Sequence, residues 1–315
     1  MGSLVDGQWR DERYDTKKSG GAFQRQASTF RHWITADGSS GFPAAPGRYH
    51  LYLALACPWC HRTLLFRTLK RLEGVISVSF VEPLMLENGW TFAERDPLTG
   101  ARYAYEIYQR ADPRYSGRAS VPILWDKERR TIVNNESADI IRMLNSAFAA
   151  FAADRTDYYP ADLAAEIDAV NARIYDSVNN GVYKAGFATR QKPYEAAVKA
   201  LFDTLDWIET RLSRQRYLVG ERATEADWRL FPTLVRFDAV YYGHFKCNLR
   251  HVYEYPALWD YMRALYQVPG VAETVDLQTF KTHYYGSHRT INPTAIIPRG
   301  PEIDFQPAHS TSKTR

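Results

Sequence analysis

The chain has only three cysteines, Cys57, Cys60 and Cys247, among its 315 residues. So small and odd a number does not suggest the disulfide framework of small secreted proteins. A structural zinc site normally needs four ligands, and a single C-x-x-C pair does not supply them. We therefore expect reduced thiols, no metal and a cytoplasmic protein.

The sequence also lacks long apolar runs and an excess of one charge. No apolar run approaches the length of a membrane span, and the first residues (MGSLVD) lack the basic-then-apolar pattern of a signal peptide. The formal net charge is only +4, with basic and acidic residues interspersed, which argues against a dedicated nucleic-acid surface. The sequence thus predicts neither a membrane nor a nucleic-acid partner, and its length suffices for two domains.

The most informative stretch that is present is ACPWCHR, residues 56–62. It follows a strand-like apolar segment, Tyr49–Ala56, and begins a helical pattern that runs from Pro58 to about Leu72. Cys57 therefore stands where a strand turns into a helix, and the positive end of that helix favours its thiolate. Cys60 lies inside the first helical turn, where we expect it to be shielded. Half of a zinc site and an inert buried pair are the alternatives, but this context favours redox or thiol-transfer chemistry.

The first half of the chain alternates strands with helices. A strand, a helix and a second strand are followed by a long insert at 84–117, and then by two strands and a helix. The insert carries many turn signals and no clear periodicity, and loops of such length tend to cover functional sites. Residues 1–46 are polar with recurring aromatics, which predicts an ordered arm packed on the rest of the protein. The predicted strands are 48–56, 75–81, 120–125 and 131–133, and the predicted helices are 58–72 and 137–145.

The second half changes to long amphipathic helices. These are predicted at 164–178, 192–213, 225–242 and 256–266. From Lys281 onwards the helical periodicity is lost. We expect an arm at 1–46, an α/β domain at 47–150, an all-helical domain at 161–280, and a tail at 281–315.

Together these features resemble a soluble glutathione transferase. That family has an α/β thioredoxin-like N-terminal domain and an all-α C-terminal domain. Three further segments are similar to those of the family. SVPIL at 120–124 resembles the segment whose proline is cis, NESADII at 135–141 resembles a glutathione-binding segment, and Thr224-x-x-Asp227 resembles the capping box of the sixth helix.

A narrower resemblance covers the chain from Trp33 to Gly300. CPWCHRT, Trp90, VPILWDK, TIVNNESA, NNGVYKAGFA, HYYGSHRTINP and IIPRGP, in this order, resemble the Xi class, the glutathionyl-hydroquinone reductases. The resemblance implies that glutathione is the co-substrate and that glutathionyl-hydroquinones are reduced through a Cys57–glutathione mixed disulfide. It also implies a homodimer, and a tail that contributes to the substrate site.

The predicted glutathione ligands surround a second helix start. Ser137 can hold the γ-glutamyl carboxylate with its hydroxyl and the helix N–H groups, and Glu136 can accept from the γ-glutamyl ammonium. Alternatively, both residues only cap their helix. The resemblance implies that Val121, before a cis Pro122, pairs its backbone with the cysteinyl unit. Arg118 is a candidate for the glycyl carboxylate, with a solvated loop charge as the alternative.

Aromatic residues are the candidates for the rest of the site. The resemblance places Trp90 against bound glutathione, although it could instead anchor the insert. It implies that Tyr183, Tyr284 and Tyr285 surround the hydroquinone, since tyrosine offers an apolar face and a hydroxyl. His288 could move a proton near neutral pH, but a lone histidine is more often structural.

Three alternative functions are compatible with the same residues. An omega-like thiol transferase or dehydroascorbate reductase would use Cys57 without the tyrosine site. In a dithiol oxidoreductase, Cys60 would resolve a disulfide formed by Cys57. A non-catalytic binding module could carry the same fold, because fold does not fix function.

Overall fold

The computed structural model describes residues 2–12 and 14–306. The chain in this range forms an α/β half followed by a helical half, as the sequence predicts. None of its helices is both long and apolar enough to cross a membrane. The strands are β1 (Ser3–Val5), β2 (Gln8–Arg10), β3 (Tyr49–Leu53), β4 (Ser77–Phe80), β5 (Gly117–Arg118), β6 (Ile123–Asp126) and β7 (Thr131–Asn134).

The α/β half is built on a four-stranded mixed sheet in the order β4-β3-β6-β7. β3 and β4 are parallel, and the helix α1 (Pro58–Leu69) makes the crossover that a parallel pair requires. β6 pairs antiparallel with both β3 and β7. Every residue of β3 is buried, so the strand that leads to Cys57 lies in the middle of the core.

The start of α1 follows from the local sequence. Cys57 is the N-cap residue with extended backbone (φ −77°, ψ 122°), and Pro58 occupies the first turn, where its missing N–H has no cost. α1 packs against α3 (Ser137–Ser146) of the same half and against α7 (Glu225–Arg236) of the helical half. The helix that carries the C-x-x-C pair therefore lies between the two halves of the protein.

The insert at 84–117 is more regular than expected. The prediction of an irregular segment is wrong for the helix α2 (Ala104–Ala111), whose first turn is closed by a capping box between Tyr103 and Glu106. The helix is short and is flanked on both sides by residues typical of turns, so the sequence pattern does not indicate it.

The N-terminal arm is ordered and packed on the protein, as predicted. It forms a second, antiparallel sheet in the order β2-β1-β5, so the arm pairs with the end of the insert. The Trp9 ring stacks on Tyr105 of α2 at 4.6 Å, and its indole N–H donates to the carbonyl of Glu87 at 3.0 Å. Further along, Thr189 N donates to the Gly21 carbonyl, so the arm also contacts the helical half.

The helical half differs from the prediction near its end. Residues expected to be aperiodic from Lys281 continue a helix as far as Ser287, and the last residues of the predicted tail, 307–315, lie outside the described residues. Two predicted helices also pass into π-helical turns, at Tyr175–Asn179 and Phe237–Tyr241. The helices are α4 (Ala164–Ile174), α5 (Gly181–Gly186), α6 (Gln191–Leu212), α7, α8 (Tyr242–His244), α9 (Pro256–Tyr266) and α10 (Leu277–Ser287).

The predicted capping box at the start of α7 is present. Asp227 Oδ2 accepts from the backbone N–H and the hydroxyl of Thr224 at 2.7 and 3.0 Å. Its other oxygen accepts from Leu218 N and from the Tyr261 hydroxyl, both at 2.8 Å. One fully buried carboxylate thus joins the start of α7 to the preceding loop and to α9.

Replacement of Asp227 by alanine should destabilise the fold strongly. The change leaves several buried donors without an acceptor, and each unsatisfied group costs about 1–3 kcal/mol. We expect the free energy of unfolding, measured by urea titration, to fall by at least about 3 kcal/mol on that basis. The exposed Asp260, replaced in the same way, is the control; equal losses in the two variants would contradict this account.

Candidate active site

Cys57 lies at the junction of the two halves, with 8% of its surface exposed. Its thiol is 3.6 Å from the carbonyl oxygen of Val121. Burial opposes ionisation, but the Cys60 thiol, the backbone N–H groups of Trp59 and Cys60, and the charge of Arg236 together lower the pKa of Cys57 to about 7. A large fraction of Cys57 is therefore thiolate at neutral pH, as a nucleophile requires.

The other two thiols are chemically different. Cys60 is buried and accepts from Ala54 N at 3.3 Å, and burial beside Cys57 raises its pKa well above the usual value. Burial also raises the pKa of Cys247. Both remain protonated at neutral pH, and the Cys60 thiol can donate to the Cys57 thiolate.

A fully buried arginine of the helical half holds the loop before Cys57. Arg236, at the end of α7, donates from Nη2 to the carbonyl of Leu55 at 2.9 Å and from Nε to that of Ala56 at 3.0 Å. Its guanidinium also lies 3.6 Å from the centre of the Phe280 ring. Within the described residues Arg236 forms no ion pair with a carboxylate. Its positive charge is therefore not neutralised there, and it helps to lower the pKa of Cys57.

His61 of α1 is a further hydrogen-bond partner of Arg236. The Thr274 hydroxyl donates to the Val271 carbonyl at 2.6 Å, so it accepts from His61 Nε2 at 2.7 Å. His61 Nδ1 is then free to accept from Arg236 Nη1 at 2.9 Å. Burial and the Arg236 charge hold the pKa of His61 well below its usual value, which keeps the ring neutral.

A groove of about 200 Å³ lies beside Cys57 and contains the predicted γ-glutamyl ligands. We call it the Ser137 groove. Ser137 begins α3, and Glu136, its N-cap, accepts from Ala138 N at 3.1 Å and from the arm residue Ser28 at 3.1 Å. The Val121–Pro122 peptide is cis, as the resemblance implies. The groove is lined by Arg25, Gln26, Ala27, Ser28, Trp59, Ser120, Val121, Pro122, Asn135, Glu136, Ser137 and Tyr175.

The second cavity, of about 110 Å³, contains Cys57 itself, and we call it the reaction cavity. Val121, Trp90, Arg118, Tyr183 and Tyr284 all line it, so the structure brings these predicted residues together. Four residues, Arg25, Trp59, Ser120 and Val121, line both the reaction cavity and the Ser137 groove. The two spaces therefore meet beside Cys57.

Trp90 and Arg118 each have a structural contact as well as a place on the cavity wall. Trp90 is stacked on His283 of α10 at 4.8 Å, which joins the insert to the helical half. Arg118 donates from Nη1 to the carbonyls of Gly2 and Glu12, at 3.3 and 2.9 Å, which fixes the arm. Binding roles for both residues stay predictions.

The predicted tyrosines form a buried hydroxyl cluster. The Tyr183 and Tyr284 hydroxyls are hydrogen-bonded to each other, and Tyr284 also bonds the hydroxyl of Tyr241 at 3.0 Å. Burial raises the pKa of Tyr183 and Tyr284 well above 10 and raises that of Tyr241 too. All three remain phenols at neutral pH and can donate hydrogen bonds.

The two remaining candidates, Tyr285 and His288, differ in their relation to the reaction cavity. The ring of Tyr285 packs at 4.7 Å from His244, beside the reaction cavity and not among the side chains that line it. His288 does line the cavity, and its Nδ1 is 3.1 Å from His244 Nε2. Burial lowers the pKa of His288 well below the usual value, so the ring is neutral there.

Sequence reasoning missed Arg25, Arg236 and Tyr241. Arg25 belongs to the arm, whose role the residue pattern does not indicate. Arg236 and Tyr241 lie in a segment that reads as an ordinary amphipathic helix; a basic residue on its apolar face was the available signal. Among the described residues, no group of three or more His, Cys, Asp or Glu side chains is placed to hold a metal ion.

Alkylation should identify Cys57 as the reactive thiol. With iodoacetamide we expect a single modification whose rate rises with pH to a half-maximum near pH 7, because the pKa of Cys57 is lowered to about 7. Mass spectrometry of peptides locates the label, and Cys57→Ser should abolish it. In Arg236→Gln the profile should move to higher pH, because the neighbouring positive charge is lost. A half-maximum near the ordinary thiol value of about 8.5 in the unmodified chain would contradict this.

Comparison with known proteins agrees with this geometry. Residues 56–147 match the N-terminal domain model of the glutathione S-transferases, and residues 191–264 match the C-terminal domain model. The chain is 54% identical to glutathionyl-hydroquinone reductase YqjG of Escherichia coli, over 98% of both chains, and 55% identical to glutathionyl-hydroquinone reductase PcpF of Sphingobium chlorophenolicum, over 96% of both. It is also 46% identical to glutathione S-transferase omega-like 2 of Schizosaccharomyces pombe, over 91% of this chain and 96% of the other.

Two solved structures have the same fold over almost the whole chain. Glutathione-bound YqjG from E. coli superposes with a TM-score of 0.89 at 50% identity, covering 98% of both chains. The Xi-class transferase of Natrialba magadii superposes with a TM-score of 0.92 at 47% identity, covering 98% of this chain and 96% of the other. The thioredoxin-like domain followed by an all-helical domain is thus confirmed, and the chain belongs to the glutathione S-transferase family, within its Xi class.

Proposed function

We propose that this protein reduces glutathionyl-hydroquinones to hydroquinones, with glutathione as the co-substrate that supplies the electrons. The observation that carries the proposal is the meeting of the Ser137 groove and the tyrosine-lined reaction cavity at Cys57. A substrate made of glutathione joined to a phenolic ring matches two such spaces with a nucleophile between them. The relatives from E. coli and S. chlorophenolicum, which are 54% and 55% identical to this chain, are both named glutathionyl-hydroquinone reductases, after this substrate class.

In this proposal the γ-glutamyl end of glutathione occupies the Ser137 groove. Glu136 accepts from its ammonium, and the Ser137 hydroxyl and the α3 N–H groups hold its carboxylate. The backbone of Val121, which faces the Cys57 thiol, pairs with the cysteinyl unit. On the wall of the reaction cavity, Trp90 would pack against bound glutathione, and Arg118 would bind its glycyl carboxylate.

The first chemical step releases the hydroquinone. The Cys57 thiolate attacks the sulfur of the keto tautomer of the glutathionyl-hydroquinone, so a sulfur–sulfur bond forms and the carbon–sulfur bond breaks. The electron pair passes to the ring, and one proton completes the hydroquinone. Tyr183 and Tyr284, held protonated by burial, can donate to the departing ring.

The second step regenerates the enzyme. The thiolate of a second glutathione attacks the mixed disulfide on Cys57, which releases oxidised glutathione and restores the Cys57 thiolate. The sum is one glutathionyl-hydroquinone and one glutathione converted to one hydroquinone and one oxidised glutathione. Cys60 forms no covalent bond in this cycle, and its raised pKa makes it a poor resolving thiol.

Thiol transfer on substrates without a ring is the second candidate activity. The 46% identity to an omega-like transferase of S. pombe favours it, and this activity needs only Cys57 and the Ser137 groove.

We also propose that the protein is a cytoplasmic homodimer. Closed two-fold dimers are the commonest soluble assemblies, and three buried, reduced cysteines suit a reducing compartment.

The cysteine variants test the proposed function directly. Cys57→Ser should abolish reduction of a glutathionyl-hydroquinone while glutathione still binds, because a hydroxyl is a far poorer nucleophile in thiol exchange. Cys60→Ser should keep most of the activity, since external glutathione resolves the mixed disulfide. The unmodified protein, incubated with the substrate alone, should gain the mass of one glutathione. Loss of activity in Cys60→Ser, with Cys57 still open to alkylation, would favour the dithiol mechanism instead.

The tyrosine variants separate recognition of the ring from recognition of glutathione. Tyr183→Phe or Tyr284→Phe keeps the ring face and removes one hydrogen bond, worth roughly 1–3 kcal/mol. This corresponds to a fall of about five- to a hundredfold in kcat/KM on the glutathionyl-hydroquinone. Exchange on a glutathione mixed disulfide without a ring should barely change.

Two controls make the tyrosine result interpretable. Ser137→Ala should weaken both reactions together, and Tyr253→Phe, at an exposed tyrosine, should leave both as they are. An equal fall of both reactions in the Tyr183 and Tyr284 variants would assign these residues to the fold or to the glutathione site.

A further inference from the structure

Arg25 of the N-terminal arm lies where the Ser137 groove meets the reaction cavity, and it lines both. Its Nε donates to Asn180 Oδ1 at 2.8 Å, just before α5. Its guanidinium carbon lies 4.9 Å from the centre of the Trp59 ring and 4.8 Å from that of Tyr183. The amide and the two rings fix the plane and the direction of the guanidinium.

One end of this guanidinium has no partner. Arg25 Nη2 is buried and forms no hydrogen bond within residues 2–12 and 14–306, and no carboxylate in that range forms an ion pair with the side chain. A buried N–H group without an acceptor is costly, and more so when it is charged. A charged donor held in this way on a cavity wall fits an anionic oxygen of the ligand.

The chemistry of the substrate places such an oxygen at the same junction. In a glutathionyl-hydroquinone the ring carbon that carries sulfur is adjacent to a carbon that carries oxygen. In the keto tautomer this oxygen is a carbonyl. When the carbon–sulfur bond breaks, its electron pair moves through the ring carbon to that oxygen, which becomes a phenolate. The new charge thus forms three bonds from the sulfur that Cys57 attacks.

We propose that Arg25 stabilises this oxyanion, with Nη2 donating to the ring oxygen next to the broken carbon–sulfur bond. The inference rests on the proposed function and assigns a catalytic group that the sequence motifs do not contain. The carbon–sulfur electron pair ends on this oxygen, Arg25 neutralises its charge, and the oxygen then takes a proton to give the hydroquinone. A preorganised cation in a water-poor cavity is the usual way to lower such a barrier.

The surroundings of Arg25 favour the ring oxygen over the γ-glutamyl carboxylate. The guanidinium packs on the face of Tyr183, which lines the reaction cavity and not the Ser137 groove. Neither Glu136 nor Ser137 is a hydrogen-bond partner of Arg25, and the carboxylate already has the Ser137 hydroxyl and the α3 N–H groups. Binding to the carboxylate is nevertheless a distinct outcome of the test.

The test compares two reactions in two matched arginine variants. Arg25→Met should lower kcat on a glutathionyl-hydroquinone by roughly a hundredfold, the usual effect of losing one oxyanion donor, with KM little changed. Exchange on the mixed disulfide of glutathione and cysteine, which has no ring, should stay within about twofold, because no oxyanion forms on a ring. Arg118→Met, at the other arginine of the cavity wall, should lower both reactions. Arg25→Lys, which keeps the charge, should recover part of kcat.

A series of ring substituents gives a readout that a purely structural role would not change. Without Arg25 the developing charge is not neutralised, so log kcat should depend more steeply on the pKa of the released hydroquinone. An unchanged slope would overturn the inference, and so would an equal fall in both reactions, which would assign Arg25 to glutathione binding. Absence of turnover by the unmodified protein would instead overturn the proposed function, and the assignment of Arg25 with it.

Discussion

The active site depends on one buried arginine that crosses between the two halves of the protein. Arg236 donates to the carbonyls of Leu55 and Ala56, the residues directly before Cys57, which lie 181 and 180 positions earlier in the chain, respectively. Because its other partners, His61 and the Pro232 carbonyl, are also neutral, its charge is not cancelled locally. The same contact therefore fixes the backbone of the nucleophile and favours its ionised form. In the thioredoxin-like half, the Cys60 thiol and the backbone N–H groups of Trp59 and Cys60 also lower the pKa of Cys57, and Arg236 of the helical half adds its charge to them.

The arm and the insert supply further residues to the walls of the active site between the two halves. The arm supplies Arg25 and Ser28, and the insert supplies Trp90. Each is held by contacts with another segment, such as Arg25 with Asn180 and Trp90 with His283. Residues far apart in sequence therefore share the walls of two small cavities, and a change in any one segment is expected to alter the position of the others.

The sequence predicted the parts of the fold and of the site that are encoded locally. The strand–Cys–Pro–helix order placed Cys57, and the Ser137 helix start and the Thr224 capping box were read from adjacent residues. The final helix, α10, was missed because much of it is buried, so its sequence lacks a clear apolar face; Phe280, His283 and Tyr284 are all buried. Arg25 was missed for a different reason. Two of the contacts that fix it, with Asn180 and Tyr183, are with residues more than a hundred positions away, which no local pattern records.

The thiol and the phenols of this site are all buried, but the net shifts of their pKa values are opposite. It raises the pKa of Cys57, Tyr183 and Tyr284 alike, because it disfavours each charged form. At Cys57 the hydrogen bonds of the helix start, the Cys60 thiol and the Arg236 charge outweigh it, whereas the tyrosine hydroxyls chiefly bond one another. The nucleophile can thus be ionised while the proton donors beside it stay protonated at the same pH. Thiolate attack and protonation of the departing ring require this difference.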